Sequence, residues 1–369
     1  MKANDAFHIA VLPGDGIGHE VMEPCIAVLE AVAARVGGFS FHFDTHQAGA
    51  VQYRDHGVAL PNAVVKACGK ADAILLGAMG WPAIRYPDGT EIAPQLDLRF
   101  EFGLFAGVRP VRTLPSMPAI LADKRAAQLD FVIIRESTEG LFASRGKGIV
   151  TDDREARDTM LITRDVCEPL FDFSFRLARQ RKARGGKGIV ACVDKANVFA
   201  SLAFFRKIFT ERAQAFPDIR ADYAYVDATA LDLVRRPWAL DVLVTENMFG
   251  DILSDLGAGL MGGMGFAPSA DIGAEHAVFQ PCHGTAPDIA GQGKANPTAM
   301  FLSGAMMLDW LGEKHGCPEL LQAAELIRSA VDHAFVDGLK PFEIGGADGT
   351  ADIARRVLGV LSHMPVEVA

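Results

Sequence analysis

Two aspartates, Asp251 and Asp255, are the most informative residues of the sequence because their spacing suits a metal ion. Residues i and i+4 of a helix share one face, so both carboxylates would face the same space. Like charges held that close repel unless a cation joins them, and carboxylate oxygens suit Mg²⁺ or Mn²⁺. A solvated helix face would show the same spacing. An apolar run at 242–245 and a glycine-rich stretch at 257–265 favour a strand, a loop and a helix that carries a metal site.

Three arginines, Arg99, Arg109 and Arg135, form a second group of candidates. Arg135 closes an apolar run, where a charged side chain is costly unless it is paired. One interpretation is a structural ion pair with Glu101 or Glu136. The other is a binding site for a substrate with two carboxylates, because the guanidinium fork matches carboxylate geometry.

Polar residues also follow two predicted strands. Lys195 and Asn197 come after one apolar run, and Asp227 comes after another. The carboxyl ends of parallel strands are where α/β sheets bind ligands. Alternatively, Lys195 is a solvated surface residue, and Asp227 caps a helix that begins at Ala228.

The elements that must position these residues alternate along the chain. A helix is predicted over 20–36, and short apolar runs predict strands at 7–12, 39–43, 73–76, 131–134, 189–193, 223–226 and 242–245. This alternation indicates an α/β fold with a largely parallel sheet. The turn GDGIG at 14–18 lacks the GxGxxG spacing, and no acidic residue closes a second strand at the right distance. An ordinary Rossmann dinucleotide site is therefore rejected.

Composition narrows the class of protein. At 369 residues the chain is long enough for two domains, and its 50% hydrophobic and 22% charged residues are typical of globular proteins. No apolar run is long enough to cross a bilayer, and no secretory signal is recognisable, so we expect a cytoplasmic location. The net charge of −10 argues against a nucleic-acid partner. The six cysteines form no CxxC or CxxH pair, which argues against zinc or a disulfide framework.

The segment NMFGDILSD at 247–255 resembles the metal-site signature of the β-decarboxylating 2-hydroxy-acid dehydrogenases, the isocitrate/isopropylmalate dehydrogenase family. Further motifs in the family's order, including the GDGIG turn, extend the resemblance from Leu12 to Gly346. The tartrate/D-malate and 3-isopropylmalate dehydrogenase branches are the most similar.

The resemblance implies an isopropylmalate dehydrogenase-like two-domain fold that is non-Rossmann, with a largely parallel central sheet in domain one. Residues 1–104 and 262–369 would form a discontinuous cofactor-binding domain. Residues 105–261 would form an inserted substrate and dimerisation domain, with an intersubunit arm near 144–166.

The resemblance also implies how the substrate is held. Arg99, Arg109 and Arg135 match the arginines that bind the malate part of a small dicarboxylic 2-hydroxy acid. Gln95 and Leu96 match the positions that meet the C3 substituent. Gln95 is polar where isopropylmalate enzymes are apolar, so the sequence favours a (2R)-malate with a small or polar C3 substituent, as in D-malate or tartrate. Isopropylmalate remains the alternative.

The catalytic and metal residues follow from the same resemblance. Asp251 and Asp255 would bind Mg²⁺ or Mn²⁺ together with Asp227, and K⁺ is left open as a further cation. Lys195 would assist removal of the hydroxyl proton, and Asn197 would lie near the nicotinamide. In the family, Lys195 and Asp227 come from the partner subunit, which implies a homodimer with shared active sites.

A later loop would hold the cofactor. The string HGTAPD at 283–288, followed by NP at 296–297, resembles the family's adenosine loop. The carboxylate of Asp288 can accept a hydrogen bond from a ribose 2′-hydroxyl and would repel a 2′-phosphate, which favours NAD over NADP. The expected cofactor-binding residues are His283, Gly284, Thr285, Ala286, Pro287, Asp288, Asn296 and Asn197.

Two positions depart from the family pattern. Phe142 stands where the family has a tyrosine, and a phenyl ring has no proton to donate. Gln280 replaces a glutamate before the adenosine loop. The expected activity is NAD- and divalent-metal-dependent oxidative decarboxylation of a (2R)-malate-type 2-hydroxy acid to a 2-keto acid. The alternative is a catalytically impaired, dehydrogenase-like binding or regulatory protein.

Overall fold

A ten-stranded sheet forms the centre of the protein in a computed structural model that describes residues 5–365. Its strands are β1 (Asp5–Gly14), β2 (Phe39–Thr45), β3 (Ala73–Ala78), β4 (Ala106–Arg112), β5 (Asp130–Glu136), β8 (Ile189–Asp194), β9 (Arg220–Tyr225), β10 (Val242–Thr245), β11 (Pro268–Ile272) and β12 (Ala277–Pro281). Two short strands, β6 (Ile149–Thr151) and β7 (Glu155–Arg157), form a separate antiparallel hairpin.

Helices cover the sheet and connect its strands. They are α1 (Ile17–Val36), α2 (Ala50–His56), α3 (Asn62–Cys68), α4 (Pro94–Glu101), α5 (Arg164–Ala183), α6 (Ala200–Ala213), α7 (Val226–Arg235), α8 (Asn247–Met261), α9 (Thr298–His315), α10 (Pro318–Val336) and α11 (Thr350–His363). The α/β class and the predicted strands are confirmed. One boundary was wrong, because Val226 begins α7 rather than ending a strand.

The strand order is β2-β1-β3-β12-β11-β4-β5-β10-β8-β9. Neighbours are parallel on both flanks, whereas β12, β11, β4 and β5 are antiparallel to one another in the centre. Strands such as β3 are buried along their whole length, which explains their continuous apolar sequences. The antiparallel centre was not predicted. The domain division at residues 104 and 262 remains a prediction, and its ends at 1–4 and 366–369 lie outside the described residues.

The glycine turn between β1 and α1 binds other parts of the protein. Asp15 is 1% exposed, and its carboxylate accepts backbone hydrogen bonds from Ala50 (2.7 Å), Val51 (2.9 Å) and Gly80 (2.9 Å). A Cβ atom on Gly16 would lie 2.2 Å from the carbonyl oxygen of Thr285, so only glycine fits there. The turn therefore supports the loop at 283–288, in agreement with the rejection of a Rossmann phosphate site.

Helix α8, which carries the aspartate pair, begins where a buried carboxylate caps it. Glu246 accepts hydrogen bonds from the backbone N–H groups of Met248 (3.1 Å) and Phe249 (2.7 Å). Gly250 lets the first turn pack directly on β5, since an added Cβ would lie 2.7 Å from Cβ and Cγ of Arg135. This close approach fixes the height of Asp251 above the sheet.

Part of the predicted arm is exposed to solvent. The β6–β7 hairpin, within the predicted arm, is exposed along both strands and presents Ile149 and Val150 at 62% and 71% exposure. None of the helices among residues 5–365 is long and apolar enough to cross a membrane.

Replacing Gly250 by alanine tests the packing of α8 on β5. We expect Gly250→Ala to lower the free energy of unfolding by about 1–3 kcal/mol, because the new methyl group overlaps Arg135 and must push the helix away. The matched control is Gly359→Ala in α11, where nothing lies within 4 Å of the added Cβ. That change should be neutral or stabilise by up to about 1 kcal/mol, through helix propensity. Equal effects in denaturant titrations would contradict the packing argument.

Candidate active site

The three arginines and the aspartate pair meet in one cleft. Arg99 lies in the last turn of α4, Arg109 in β4 and Arg135 near the end of β5, and they are only 5%, 6% and 4% exposed. Asp251 and Asp255 reach the same cleft from successive turns of α8, as predicted from their spacing. We call this cavity of about 170 Å³ the arginine cleft; it is lined by residues 76–79, Gln95, Arg99, Arg109, Arg135, Asp251, Ser254, Asp255, Ser269 and residues 280–284.

Asp271 in β11 is the counter-ion of two of the arginines. It is 1% exposed, and its carboxylate accepts hydrogen bonds from Arg99 Nε at 3.0 Å and Arg109 Nη2 at 3.3 Å. Burial alone would raise the pKa of Asp271, but the two guanidinium groups outweigh it and lower that pKa below its ordinary value. The structural ion pairs that were considered with Glu101 or Glu136 do not form: Asp271 pairs with Arg99 and Arg109, and Asp251 pairs with Arg135.

Sequence reasoning missed Asp271. The only available signal was a lone acidic residue within a short run of otherwise small and apolar residues at 267–272.

Arg135 is held on the other side of the cleft. Its Nε and Nη2 donate to Oδ1 of Asn247 at 3.0 and 2.8 Å, and Nη1 contacts the carboxylate of Asp251. Burial lowers the pKa of Arg135 to about 10, with Arg99 as the next cause. The amide of Asn247 donates in turn to the carbonyl oxygen of Glu139 at 3.1 Å. This chain of contacts fixes the guanidinium plane before any ligand binds.

The aspartate pair suits a hard divalent cation. Burial and the neighbouring charge of Asp251 both raise the pKa of Asp255, so a cation placed between the two carboxylates would relieve their repulsion. Asp227 does not join them, since no group of three metal-binding side chains occurs among residues 5–365. One chain therefore supplies two of the three predicted metal ligands to this cleft.

Lys195 and Asp227 form a separate pair. The Lys195 ammonium contacts the Asp227 carboxylate, and this hydrogen bond lowers the pKa of Asp227. Their side chains are 26% and 68% exposed, and neither lines the arginine cleft. Asp227 is not the N-cap that was considered, because α7 begins at Val226 and Asp227 lies in its first turn. Asn197 is exposed near Lys195, in the loop before α6.

A second cavity adjoins the cleft at the predicted cofactor loop. It has a volume of about 320 Å³, and His283 lines both cavities. Burial lowers the pKa of His283, which favours a neutral ring, and its Nε2 has no hydrogen-bond partner. Ala286 has a φ of +37°, a strained value for a residue other than glycine. The remaining lining residues are Ile17, Met264, Gly265, Ile289, Lys294, Ala295, Asn296, Phe342 and Glu343.

The rest of the predicted loop supports that cavity in different ways. Thr285 is buried, and its carbonyl oxygen accepts from Ile17 N at 3.0 Å. Asn296 is 7% exposed and donates to Glu343 at 3.1 Å, a partner that the sequence did not reveal. By contrast, Gly284, Pro287 and Asp288 are exposed, which leaves the Asp288 carboxylate open to a ligand.

The predicted substituent positions differ in their environment. Gln95 lines the arginine cleft, and its Oε1 is buried without a hydrogen-bond partner. Leu96 is partly buried and does not line the cleft. The amide of Gln280 donates to Asp271 at 2.9 Å. Gln280, which replaces the family's glutamate, therefore contacts the counter-ion of Arg99 and Arg109.

Phe142 lies beside the cleft and contacts Arg135, whose guanidinium carbon is 5.0 Å from the ring centre. It lines a neighbouring cavity with Tyr86, Phe100 and Glu139. The segment before it is ordered by Glu136, which accepts from the backbone N–H of Glu139 at 2.8 Å; burial raises the pKa of Glu136 to about 7. No group at position 142 can donate a proton.

Comparisons with known proteins agree with this geometry. The chain matches the family model described as isocitrate/isopropylmalate dehydrogenase over residues 8–357. It is 40% identical to the 3-isopropylmalate/3-methylmalate dehydrogenase of Methanocaldococcus jannaschii over 350 residues, which cover 95% of this chain and 97% of the relative. It is 41% identical to the 3-isopropylmalate dehydrogenase of Moorella thermoacetica over 367 residues, with 98% and 99% coverage.

Solved structures that superpose on this chain are also isocitrate and β-decarboxylating dehydrogenases. The isocitrate dehydrogenase of Methylococcus capsulatus superposes with a TM-score of 0.83 at 34% identity and covers 96% of this chain and 99% of its own. A β-decarboxylating dehydrogenase of Thermococcus kodakarensis gives a TM-score of 0.78 at 36% identity, with 96% of both chains covered. The expectation of an isopropylmalate dehydrogenase-like fold is confirmed.

Proposed function

The chain belongs to the isocitrate/isopropylmalate dehydrogenase family, and from that premise we propose that it oxidatively decarboxylates a (2R)-malate-type 2-hydroxy acid with NAD and a divalent metal ion. It is an oxidoreductase, and members of its family act on small hydroxy acids. The observation that carries the proposal is the arginine cleft, where three buried guanidinium groups and two carboxylates converge next to the cofactor-loop cavity.

In this proposal the arginines bind and orient the substrate. Arg99 and Arg109 are tethered to Asp271 and Arg135 to Asn247, so their remaining N–H groups are preorganised donors for two carboxylates. The unpartnered Oε1 of Gln95 can accept a hydrogen bond from a polar C3 substituent. Leu96, the apolar residue expected to meet that substituent, does not line the cleft. Both features favour a small or polar group over isopropyl.

Lys195 and Asp227 would remove the hydroxyl proton. A divalent ion bound by Asp251, Asp255 and Asp227 would act as a Lewis acid on the substrate hydroxyl and the adjacent carboxylate. The exposed carboxylate of Asp288 and the cavity beside His283 suit the adenosine part of NAD, which would supply the hydride acceptor for oxidation at C2. The resulting ketone lies β to the second carboxylate, which leaves as CO₂, and a proton then returns to carbon.

A second copy of the chain would complete each site. Lys195 and Asp227 do not reach the arginine cleft of their own chain, although the family chemistry needs them there. Helices α7 and α8 contact each other and expose Leu231, Val234 and Ile252 at 53%, 52% and 63%, an apolar face suited to an isologous partner. Together with the exposed β6–β7 hairpin, this face supports a homodimer with shared active sites.

Phe142 favours a second candidate function, a catalytically impaired protein that binds the same ligands. It removes the family's proton donor, whereas the other predicted catalytic and binding groups are present. A protein that only binds these ligands would need the arginines and the metal-binding aspartates, but it would not need the proton-removing Lys195, which is present. The catalytic proposal therefore comes first, with water or another group as the proton donor.

The proposed function is tested by NADH formation on a substrate panel. With Mn²⁺ and NAD⁺, we expect the highest kcat/KM on D-malate, tartrate or 3-methylmalate, a lower value on 3-isopropylmalate, and weak or no turnover of isocitrate and homoisocitrate. NADP⁺ should be a poor cofactor because Asp288 would repel its 2′-phosphate. If no substrate of the panel gives NADH although NAD⁺ still binds, the result would contradict catalysis and favour the binding protein.

Restoring a tyrosine at position 142 separates the two candidates. We expect Phe142→Tyr to change kcat by less than about tenfold, because in a working enzyme the proton already reaches carbon by another route. Phe100→Tyr, on the wall of the same cavity, is the matched control. A gain of about 10²-fold or more, the value of a positioned general acid, would instead identify the natural protein as an impaired catalyst.

Complementation tests the shared site. Lys195→Ala and Asp251→Asn should each inactivate the homodimer, whereas the purified heterodimer of the two should regain about half of the wild-type activity, through its one intact site. The heterodimer of Lys195→Ala with Asp227→Asn is the control and should stay inactive, because both residues serve the same half-site. An inactive first heterodimer would show that each site lies within one chain.

A further inference from the structure

We propose that Asp271 determines substrate specificity: its buried carboxylate cancels one positive charge of the arginine cleft and so adapts the site to substrates with two carboxylates rather than three. This inference rests on the proposed function and names the residue that excludes isocitrate-type tricarboxylates from that same site. Neither the sequence motifs nor the family resemblance identified Asp271.

The contacts of Asp271 account for both of its oxygens. Oδ2 accepts from Arg99 Nε at 3.0 Å and from Gln280 Nε2 at 2.9 Å, and Oδ1 accepts from Arg109 Nη2 at 3.3 Å. With 1% exposure, no solvent screens these charges, and the neighbouring arginines keep the pKa of the carboxyl low. Asp271 is therefore an ionised group directly behind the cleft wall, where it contacts Arg99, Arg109 and Gln280.

The charge balance of the cleft follows from this assignment. Arg99, Arg109 and Arg135 bring three positive charges, and Asp271, which contacts two of them, removes one. The divalent ion of the proposed function would balance Asp251 and Asp255, so two positive charges remain to match the two carboxylates of a malate-type substrate. A third carboxylate, carried by the C3 substituent, would enter a cleft whose positive charges are already neutralised by Asp271 and by the other two carboxylates. Like charges placed together in a buried site are strongly unfavourable, and this is how binding sites reject wrong partners.

The neutral side chain at position 280 fits the same explanation. In the antiparallel pair of β11 and β12, Gln280 lies opposite Ser269, two residues from Asp271 on the same face. A glutamate there, as in the family pattern, would put two carboxylates within hydrogen-bond distance of each other. The glutamine amide instead donates to Asp271. The negative charge thus resides on β11 in this chain, and the neutral amide lies on β12.

The decisive measurement is a ratio of binding affinities, which needs no turnover. Dissociation constants of D-malate and of propane-1,2,3-tricarboxylate are measured by calorimetry on the full protein with Mn²⁺. Asp271→Asn should shift the ratio in favour of the tricarboxylate by at least about tenfold, because one positive charge is released. It should also raise the relative kcat/KM for isocitrate.

A matched control separates this electrostatic role from loss of structure. Asp241 is another buried aspartate, 2% exposed, whose carboxylate accepts from Arg181 Nε at 2.9 Å away from the cleft. Asp241→Asn should lower stability and leave the ligand ratio within about twofold of wild type, since its arginine contacts no substrate. An unchanged ratio in Asp271→Asn, or an equal shift in Asp241→Asn, would overturn the proposal.

Moving the charge to the neighbouring strand tests the proposal even if the single variant does not fold. The double variant Asp271→Asn/Gln280→Glu keeps the net charge and should return the ratio to within about threefold of wild type. Gln280→Glu alone adds a negative charge and should disfavour the tricarboxylate further. If Gln280→Glu instead shifted the ratio of dissociation constants in favour of the tricarboxylate, that result would contradict the inference. If the wild type formed no NADH with any substrate of the panel, that result would contradict the proposed function instead. The two tests therefore have distinguishable outcomes.

Discussion

The repulsion among three buried guanidinium groups is the constraint on which the rest of the site depends. Arg99, Arg109 and Arg135 lie in one cleft of low dielectric, where uncompensated charge is costly. Asp271 lies between Arg99 and Arg109 and compensates their charge. Asn247 and Asp251 contact Arg135. Since all of these partners lie on β11 and α8, the packing of those elements positions the three guanidinium groups.

Charge also describes the two separate groups of predicted metal ligands within one chain. The aspartates on α8 repel each other, whereas Asp227 is already paired with Lys195 on another surface. Bringing the two groups together with a metal ion would give the cation three carboxylates and place the lysine beside the substrate. Dimer formation and catalysis would then depend on the same contacts.

Much of this arrangement could be predicted from sequence because it depends on local spacing. The i, i+4 spacing of the aspartates predicted their shared face, and apolar runs predicted strand β5, which carries Arg135, and strand β8, which ends just before Lys195. Asp271 could not be predicted, since it lies 172 residues from Arg99 and meets it only through the antiparallel centre of the sheet. Asp227 as an N-cap was wrong because helix α7 begins two residues earlier than the sequence suggested.

The most direct test of the account is a crystal structure of the protein with Mn²⁺, in which anomalous scattering locates the metal ion. The account predicts one ion per arginine cleft, bound by Asp251 and Asp255 of one chain and by Asp227 of the partner subunit, at distances of about 2.0–2.4 Å. An ion held by Asp251 and Asp255 with water only, and with every Asp227 remote from it, would contradict the shared site.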